Sequence, residues 1–271
     1  MFSVLMSVYH KDNPLYFHEA LASLAPQLRH VDEVVLVKDG PLGPALEATL
    51  DAHRTRLPLR TLALARNVGL ARALNAGLEQ CRSDWVFRFD ADDLCLPERA
   101  ALQSERIREG LLDIVGGQIE ECDPATQAVT GRRLVPCGEH EIRSFLRRRN
   151  PFNHMTVCYR RAFVRAIGGY PDIPFKEDYA LWAKALACGA RVANLPQVLV
   201  RARAGSDLVA RRGGLAYARS EIALQAFLHR NGFHSTLSSL LVGAGRAMVF
   251  ASPLSVRQFV YRAILRARAH S

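Results

Sequence analysis

"RFDADDLCLPERA", residues 88–100, follows the apolar run Trp85-Val86-Phe87 and crowds Asp90, Asp92 and Asp93 together. Carboxylates this close repel one another unless a cation lies among them. At the end of a buried strand, Asp90-Ala91-Asp92 can aim two carboxylates into one crevice. Hard divalent ions such as Mn2+ or Mg2+ need few carboxylates and complete their shells with substrate phosphate oxygens. The pair Asp90 and Asp92 therefore suits a metal held against a diphosphate. The competing use is local: Asp93 can stabilise the start of a helix opening at Pro97.

This stretch also ends the fourth strand of an alternating series. Apolar runs predict strands at Phe2–Val8, Glu33–Val37, Leu59–Leu64, Trp85–Phe89 and Asp113–Ile119. Helices are expected from Asn13-Pro14 to about Leu28, over Ala45–His53, from an Asn67 cap, and from Pro97. Strand–helix alternation with short links predicts an α/β fold: a Rossmann-like, mostly parallel central sheet with helices on both faces. Ligands in such sheets sit beyond the carboxyl ends of the strands. Here those ends carry Ser7-Val8-Tyr9, Asp39-Gly40, Arg66-Asn67 and Asp90 to Asp93. Later segments read as a strand of a small added sheet (Gln127–Val135), a basic helix (Glu139–Arg149), a strand (His154–Tyr159), helices at Arg161–Ile167 and Asp178–Cys188, and an arginine-rich loop (Leu199–Gly214).

Each candidate side chain has a structural use beside its functional one. Asp39, closing VVLVKDG, can accept a hydrogen bond from a ring N–H such as N3 of uracil, or can serve the turn before Gly40. Asn67 can cap a helix whose exposed N–H groups face a nucleotide. Glu177-Asp178 opens an amphipathic helix, where the acids can cap it or supply a general base. His154, in NPFNHMTV, is either a packed core histidine or a substrate contact.

Composition narrows the class. With 271 residues and 49% apolar content the chain can bury a full core. No apolar run is as long as a membrane span, and MFSVLMSVYHKDNP reads as a buried strand rather than a signal peptide. Cys81, Cys95, Cys122, Cys137, Cys158 and Cys188 show no CxxC spacing, as expected of reduced cytosolic thiols rather than a zinc site. The net charge of +10 is concentrated at the end: from Arg201 onward eleven arginines stand against Asp207 and Glu221. Such a surface suits nucleic acid, an anionic membrane or simple solvation. Nucleic acid is disfavoured, because the basic residues lack interleaved aromatics and a binding motif.

SVLMSVYHKDNP, VVLVKDGP, NVGLARALNAGL, FRFDADDLCLPER, NHMTVCYRRAFVRAIGGY and FKEDYALWAKALACG occur in an order that resembles family 2 glycosyltransferases of the GT-A fold, over roughly residues 1–205. The resemblance implies a nucleotide-binding half at about 1–120, an acceptor half at about 121–205, and a basic helical extension at 206–271. It implies an inverting enzyme that uses a UDP-sugar and Mn2+ or Mg2+. Ser7, Tyr9, Asp39, Asn67, Asp90 and Asp92 would hold the nucleotide-sugar, Asp92 and Asp93 the metal, and Asp178 would be the base. His154, Glu177, Arg201 and Arg203 are candidates for acceptor or diphosphate contacts, with 201–212 a possible lid. VKDGP and EDYALW are similar to bacterial O-antigen and capsule enzymes, including β-1,3-galactosyltransferases acting on GlcNAc-diphosphoundecaprenol. That implies a cytoplasmic enzyme, peripheral at the inner face of the plasma membrane, whose basic tail lies on an anionic membrane or packs on the domain. The rivals are a metal-dependent phosphohydrolase, a sugar nucleotidyltransferase and a non-enzymatic basic binding module.

Overall fold

The computed structural model describes residues 2–204 and 213–257. In its first half, β1 (Phe2–Val8), β2 (Val31–Lys38), β3 (Leu59–Ala63) and β4 (Trp85–Arg88) pair in the order β3-β2-β1-β4, all parallel. Helices α1 (Pro14–Ala22), α2 (Pro44–His53), α3 (Leu70–Gln80) and α4 (Arg99–Arg108) connect or follow them. The period-2 alternation of strands splits the core between two faces. Val4, Met6 and Val8 pack with Phe17 and Leu21 of α1, Leu46 and Leu50 of α2, and Ala100 of α4. Leu5, Val35 and Val37 pack on the other face against Leu74 and Leu78 of α3. Full burial of leucines and phenylalanines such as these stabilises by roughly 1.5–3 kcal/mol each.

The second half adds β5 (Leu94–Cys95), β6 (Ile114–Cys122), β7 (Val129–Arg133), α5 (Glu139–Leu146), β8 (Cys158–Arg160), α6 (Arg161–Ala166), α7 (Glu177–Ala187), β9 (Val192–Arg203), α8 (Leu215–Arg230) and α9 (Thr236–Ala251). The sheet continues β4-β8-β6-β9-β5, with β7 on β6. β8 runs antiparallel to both β4 and β6, so the sheet becomes mixed beyond β4. The added strand β7 extends this same sheet instead of founding a second one. Helix α7 lies in the interior with Trp182 fully buried, and Leu224 and Leu228 of α8 join its core cluster.

Several local expectations change. α1 stops at Ala22 because Pro26 lies ahead, and the chain continues as a 3-10 turn, Ala25–Gln27. Asn67 caps nothing: α3 begins after Gly69, at φ +89°. α4 begins at Arg99, and Gln27 Oε1, distant in sequence, accepts the Ala100 N–H at 2.9 Å, so Asp93 does not cap it. His154–Thr156 is a 3-10 turn, and only Cys158–Arg160 is strand. Leu199–Arg203, expected in a loop, forms the end of the twelve-residue β9. Pro196 hides that strand in the sequence, since proline interrupts a ladder. The register of β6 against β9 shifts between Gly116 and Ile119. Arg211 and Arg212 of the expected lid lie outside the described residues.

Gly40 sets the first rim turn. Its φ is +89°, and a Cβ there would stand 2.7 Å from the Asn67 backbone nitrogen. Gly40→Ala should therefore cost about 1–3 kcal/mol in urea unfolding. Gly43→Ala, where a Cβ meets nothing within 4 Å, should stay within about 0.5 kcal/mol. Equal stabilities of the two variants would refute the strain assigned to this turn.

Candidate active site

The parallel order of β1 to β4 brings their carboxyl ends to one edge. Asp39, just past β2, is buried, and its backbone N–H donates to Val8 O at 2.8 Å. Its carboxylate accepts the N–H groups of Val68 at 2.7 Å and Gly69 at 3.1 Å. Those N–H groups were candidates to face a ligand, and they serve Asp39 instead. Asn67 Nδ2 donates to Asp39 O at 3.3 Å, locking the β2 and β3 loops together. Past β1, Asp12 Oδ2 accepts the Tyr9 N–H at 2.9 Å and folds residues 9–12 into a turn.

Beyond β4 the aspartates meet two buried guanidiniums. Arg88 lies 2.5 Å from Asp90 Oδ1 through Nη1, and its side chain is 1% exposed. Arg203, at the end of β9, donates to Asp92 O and Glu19, and its guanidinium stands 4.6 Å from the Tyr16 ring centre. Its backbone N–H reaches Asp93 Oδ1 at 3.1 Å. Arg201 is paired with Glu120 at 2.7 Å. Both arginines are thus fixed in a strand.

Negative charge exceeds positive charge here. Burial, reinforced by Asp90, pushes the Asp92 carboxyl up to about 6. Burial and the charges of Asp92 and Asp90 push Asp12 to about 7 against the opposing Tyr9 N–H. Asp93 is held well above the usual carboxylate range by burial and by Asp92 and Asp90. Among the described residues, no three His, Cys, Asp or Glu side chains are grouped to hold a metal by themselves. A carboxylate surplus with an incomplete ligand set fits a cation that takes its remaining ligands from a diphosphate.

The base candidate stands on the other flank. Arg88 Nε donates to His154 Nε2 at 3.2 Å, and Tyr170 Oη lies 3.0 Å from the same nitrogen. Burial, then the Arg88 charge, holds His154 well below its usual range, so it is a neutral acceptor. This is a packed histidine that braces Arg88. Glu177 and Asp178 form the first turn of α7. Asp178 Oδ2 accepts from Asn150 Nδ2 at 2.6 Å. Burial and Asp178 raise Glu177 to about 7, and it also senses Arg88 and Asp90, which ties this turn electrostatically to the aspartate loop.

Lys176, immediately before that turn, is held from outside. Its Nζ lies 2.9 Å from Glu221 Oε2 on α8 and 4.4 Å from the Tyr217 ring centre. Arg246 of α9 reaches the other Glu221 oxygen at 3.1 Å. The C-terminal hairpin therefore braces the start of α7. A cavity of about 480 Å³ at the opposite sheet edge is lined by Asp32, Glu33, Arg60, Arg82 and neighbours. Its buried Glu33 is already met by Ser3, Arg60 and the Arg82 N–H.

Sequence reading missed Asp12, Arg88, Asn150 and Glu221. Arg88 had a visible signal, a cation within an otherwise apolar strand two residues before Asp90. Asn150 and Glu221 had none, because their partners are distant in the chain; Asp12 bonds the nearby Tyr9 N–H, but Asp90 and Asp92, which set its charge, are distant.

The family described as Glycosyl transferase family 2 matches residues 3–167. The amylovoran biosynthesis glycosyltransferase AmsE of Erwinia amylovora is 40% identical over 267 residues, covering 96% of this chain and 98% of the relative. The UDP-Gal:alpha-D-GlcNAc-diphosphoundecaprenol beta-1,3-galactosyltransferase of Escherichia coli is 35% identical over 268 residues, covering 98% and 96%. Staphylococcus aureus TarS 1–349 in complex with UDP-GlcNAc superposes with a TM-score of 0.65 at 20% identity, over 96% of this chain and 73% of that fragment. Rim, sheet order and these matches agree: the chain is a glycosyltransferase of the GT-A fold and belongs to glycosyl transferase family 2.

Proposed function

We propose that this enzyme transfers Gal or Glc from a UDP-sugar, with inversion, to a hydroxyl of an undecaprenyl-diphosphate-linked glycan in O-antigen or capsule synthesis, at the inner face of the plasma membrane. The carrying observation is a chain of contacts: Arg88 meets Asp90 at 2.5 Å and donates to His154, whose ring lies 6.0 Å from that of Trp182 on α7, the helix whose first turn holds Asp178. This link supports reading the base candidate and the acidic edge as one site. The Escherichia coli relative, whose name states a UDP-Gal donor and a GlcNAc-diphosphoundecaprenol acceptor, supports the donor and acceptor classes.

Asp39, held by Val68 and Gly69, retains carboxylate lone pairs for the uracil ring N–H, with Asn67 fixing its loop. Ser7 and Tyr9 border the same edge, and Asp90, oriented by Arg88, faces the ribose or donor sugar. Asp92, with Asp93 behind it, would hold Mn2+ or Mg2+. When bound, the ion supplies Lewis-acid stabilisation of charge on the diphosphate. Arg203, beside Asp92, adds fixed positive charge. Asp178, oriented by Asn150, takes the acceptor hydroxyl proton as the oxygen attacks the anomeric carbon. The C1–O bond to UDP breaks as the new glycosidic bond forms on the opposite face. The leaving diphosphate needs no acid, so one base suffices, unlike glycoside hydrolysis with its two carboxyls.

UDP with Mn2+ should raise the melting temperature, and EDTA should abolish that rise; absence of any shift with a nucleoside diphosphate would refute the donor site. Asp178→Asn should keep the UDP-induced shift while transfer falls by about 10²–10⁴-fold; near-normal transfer would exclude Asp178 as base. Glu177 titrates near 7 in the fold against an ordinary 4.5, so the unfolded chain loses its proton first. Stability of the ligand-free protein should therefore fall as pH rises from about 4.5 to 7, and Glu177→Gln should flatten that fall, gaining about 1–3 kcal/mol at pH 8. An unchanged pH profile in urea unfolding would contradict the placement of Glu177.

A further inference from the structure

Helix α9 is amphipathic in the reverse sense to an ordinary surface helix, which turns its apolar stripe inward. Its inner stripe is mostly small or polar, apart from Phe250 in the last turn, whose ring lies 4.7 Å from that of Tyr217. Ser239 Oγ donates to Gln225 O at 2.7 Å, Gly243 packs closely on Gln225, and Arg246 pairs with Glu221. Its outer stripe is Leu237, Leu240, Leu241 and Met248, exposed by 67%, 66%, 66% and 68%. Helical spacing of three, four and seven places these four side chains along one face.

We propose that this outer face of α9 is a docking surface for an anionic lipid bilayer. Charge identifies the occupant. From Ile222 to Ser271 the sequence holds six arginines and no Asp or Glu. Arg230, at the end of α8, is exposed. Exposed Arg147 and Arg148 adjoin the hairpin, their carbonyls met by His234 and Arg246; a second copy of the chain would oppose these like charges, whereas an anionic headgroup layer answers them. No helix among the described residues is long and apolar enough to cross a membrane. A sixteen-residue helix with leucines on one face is instead suited to lie in the interfacial plane, its apolar side in the acyl boundary. The placement is also useful: Arg246, on the side of α9 away from the leucines, shares Glu221 with Lys176, which precedes Glu177 and Asp178. The hairpin thus stands between bilayer and base, about one helix diameter thick at α9. The surface rests on the proposed lipid-linked acceptor, because a base braced against the membrane face meets a hydroxyl carried there.

The test is flotation of the full chain with vesicles of phosphatidylcholine alone and of phosphatidylcholine with phosphatidylglycerol. The UDP–Mn2+ melting shift and sizing in solution are measured on the same preparations. Wild type should float with phosphatidylglycerol vesicles and not with phosphatidylcholine alone. The double variant Leu240→Glu, Leu241→Glu should reduce flotation about tenfold or more, and Leu237→Ser with Met248→Ser should reduce it severalfold. Both variants should retain the wild-type melting temperature and UDP–Mn2+ response. Wild type that fails to float, or folded variants that float as well as wild type, would overturn the docking surface. So would a wild-type dimer that the variants dissociate, which would assign the face to a second copy. Vesicle binding gained only on removing residues 258–271 would assign it to the chain's own end and overturn it likewise. Normal flotation without a UDP–Mn2+ shift would leave the surface standing and count against the nucleotide-sugar reading alone.

Discussion

Four carboxylates, Asp12, Asp90, Asp92 and Asp93, interact at one sheet edge, and two buried arginines, Arg88 and Arg203, answer them. Two like charges 4 Å apart repel by about 4 kcal/mol at an effective dielectric constant near 20. The fold holds this imbalance together by burying the arginines and by spending backbone N–H groups on the acids: Tyr9 on Asp12 and Arg203 on Asp93. Protons relieve part of the strain, which is why burial and mutual repulsion raise Asp12 and Asp92 to about 7 and about 6. A divalent cation with a diphosphate would relieve it more fully, because it brings positive charge and its own remaining ligands together.

Arg88 connects this edge to the rest of the machinery. It faces Asp90 with one nitrogen and His154 with another, and His154 in turn contacts Tyr170. A protonated His154 would oppose Arg88, and its low affinity for a proton keeps it an acceptor. On the far side, Lys176 and Arg246 converge on Glu221, so two cations flank one buried carboxylate and clamp the C-terminal hairpin to α7. The start of α7 is therefore held by the hairpin through Lys176 and Glu221, while its Trp182 packs beside His154. That arrangement makes α8 and α9 a structural support for the start of α7.

The first four strands were legible because each is a short apolar run with a helix signal after it, and their shared direction follows from short crossovers. The positions of Asp39, Asp90, Asp92 and Asp93 at the carboxyl edge were legible for the same reason. What failed depended on partners distant in sequence. Asn67 looked like a cap, but Asp39 takes the N–H groups of Val68 and Gly69, and the helix starts later. Pro97 looked like a helix start, but Gln27 caps from Ala100. The end of β9, Leu199–Arg203, looked like part of an arginine-rich loop because Pro196 breaks its pattern and its charges appear solvated; Glu120 and Glu19 in fact receive the guanidiniums, and Asp93 accepts the Arg203 backbone N–H. Six ordered motifs carried the family further than any single residue could. The reversed face of α9 emerges only when packing distinguishes inner Ser239 and Gly243 from outer Leu240 and Leu241.

The central claim is that the acidic edge binds a cation jointly with a diphosphate. Free Mn2+ measured by its electron paramagnetic resonance signal, during titration into the protein with and without UDP, addresses it directly. Binding should be weak alone, tighten by an order of magnitude or more with UDP, and disappear in Asp92→Asn. Equal Mn2+ affinity with and without UDP, or full retention in Asp92→Asn, would contradict it.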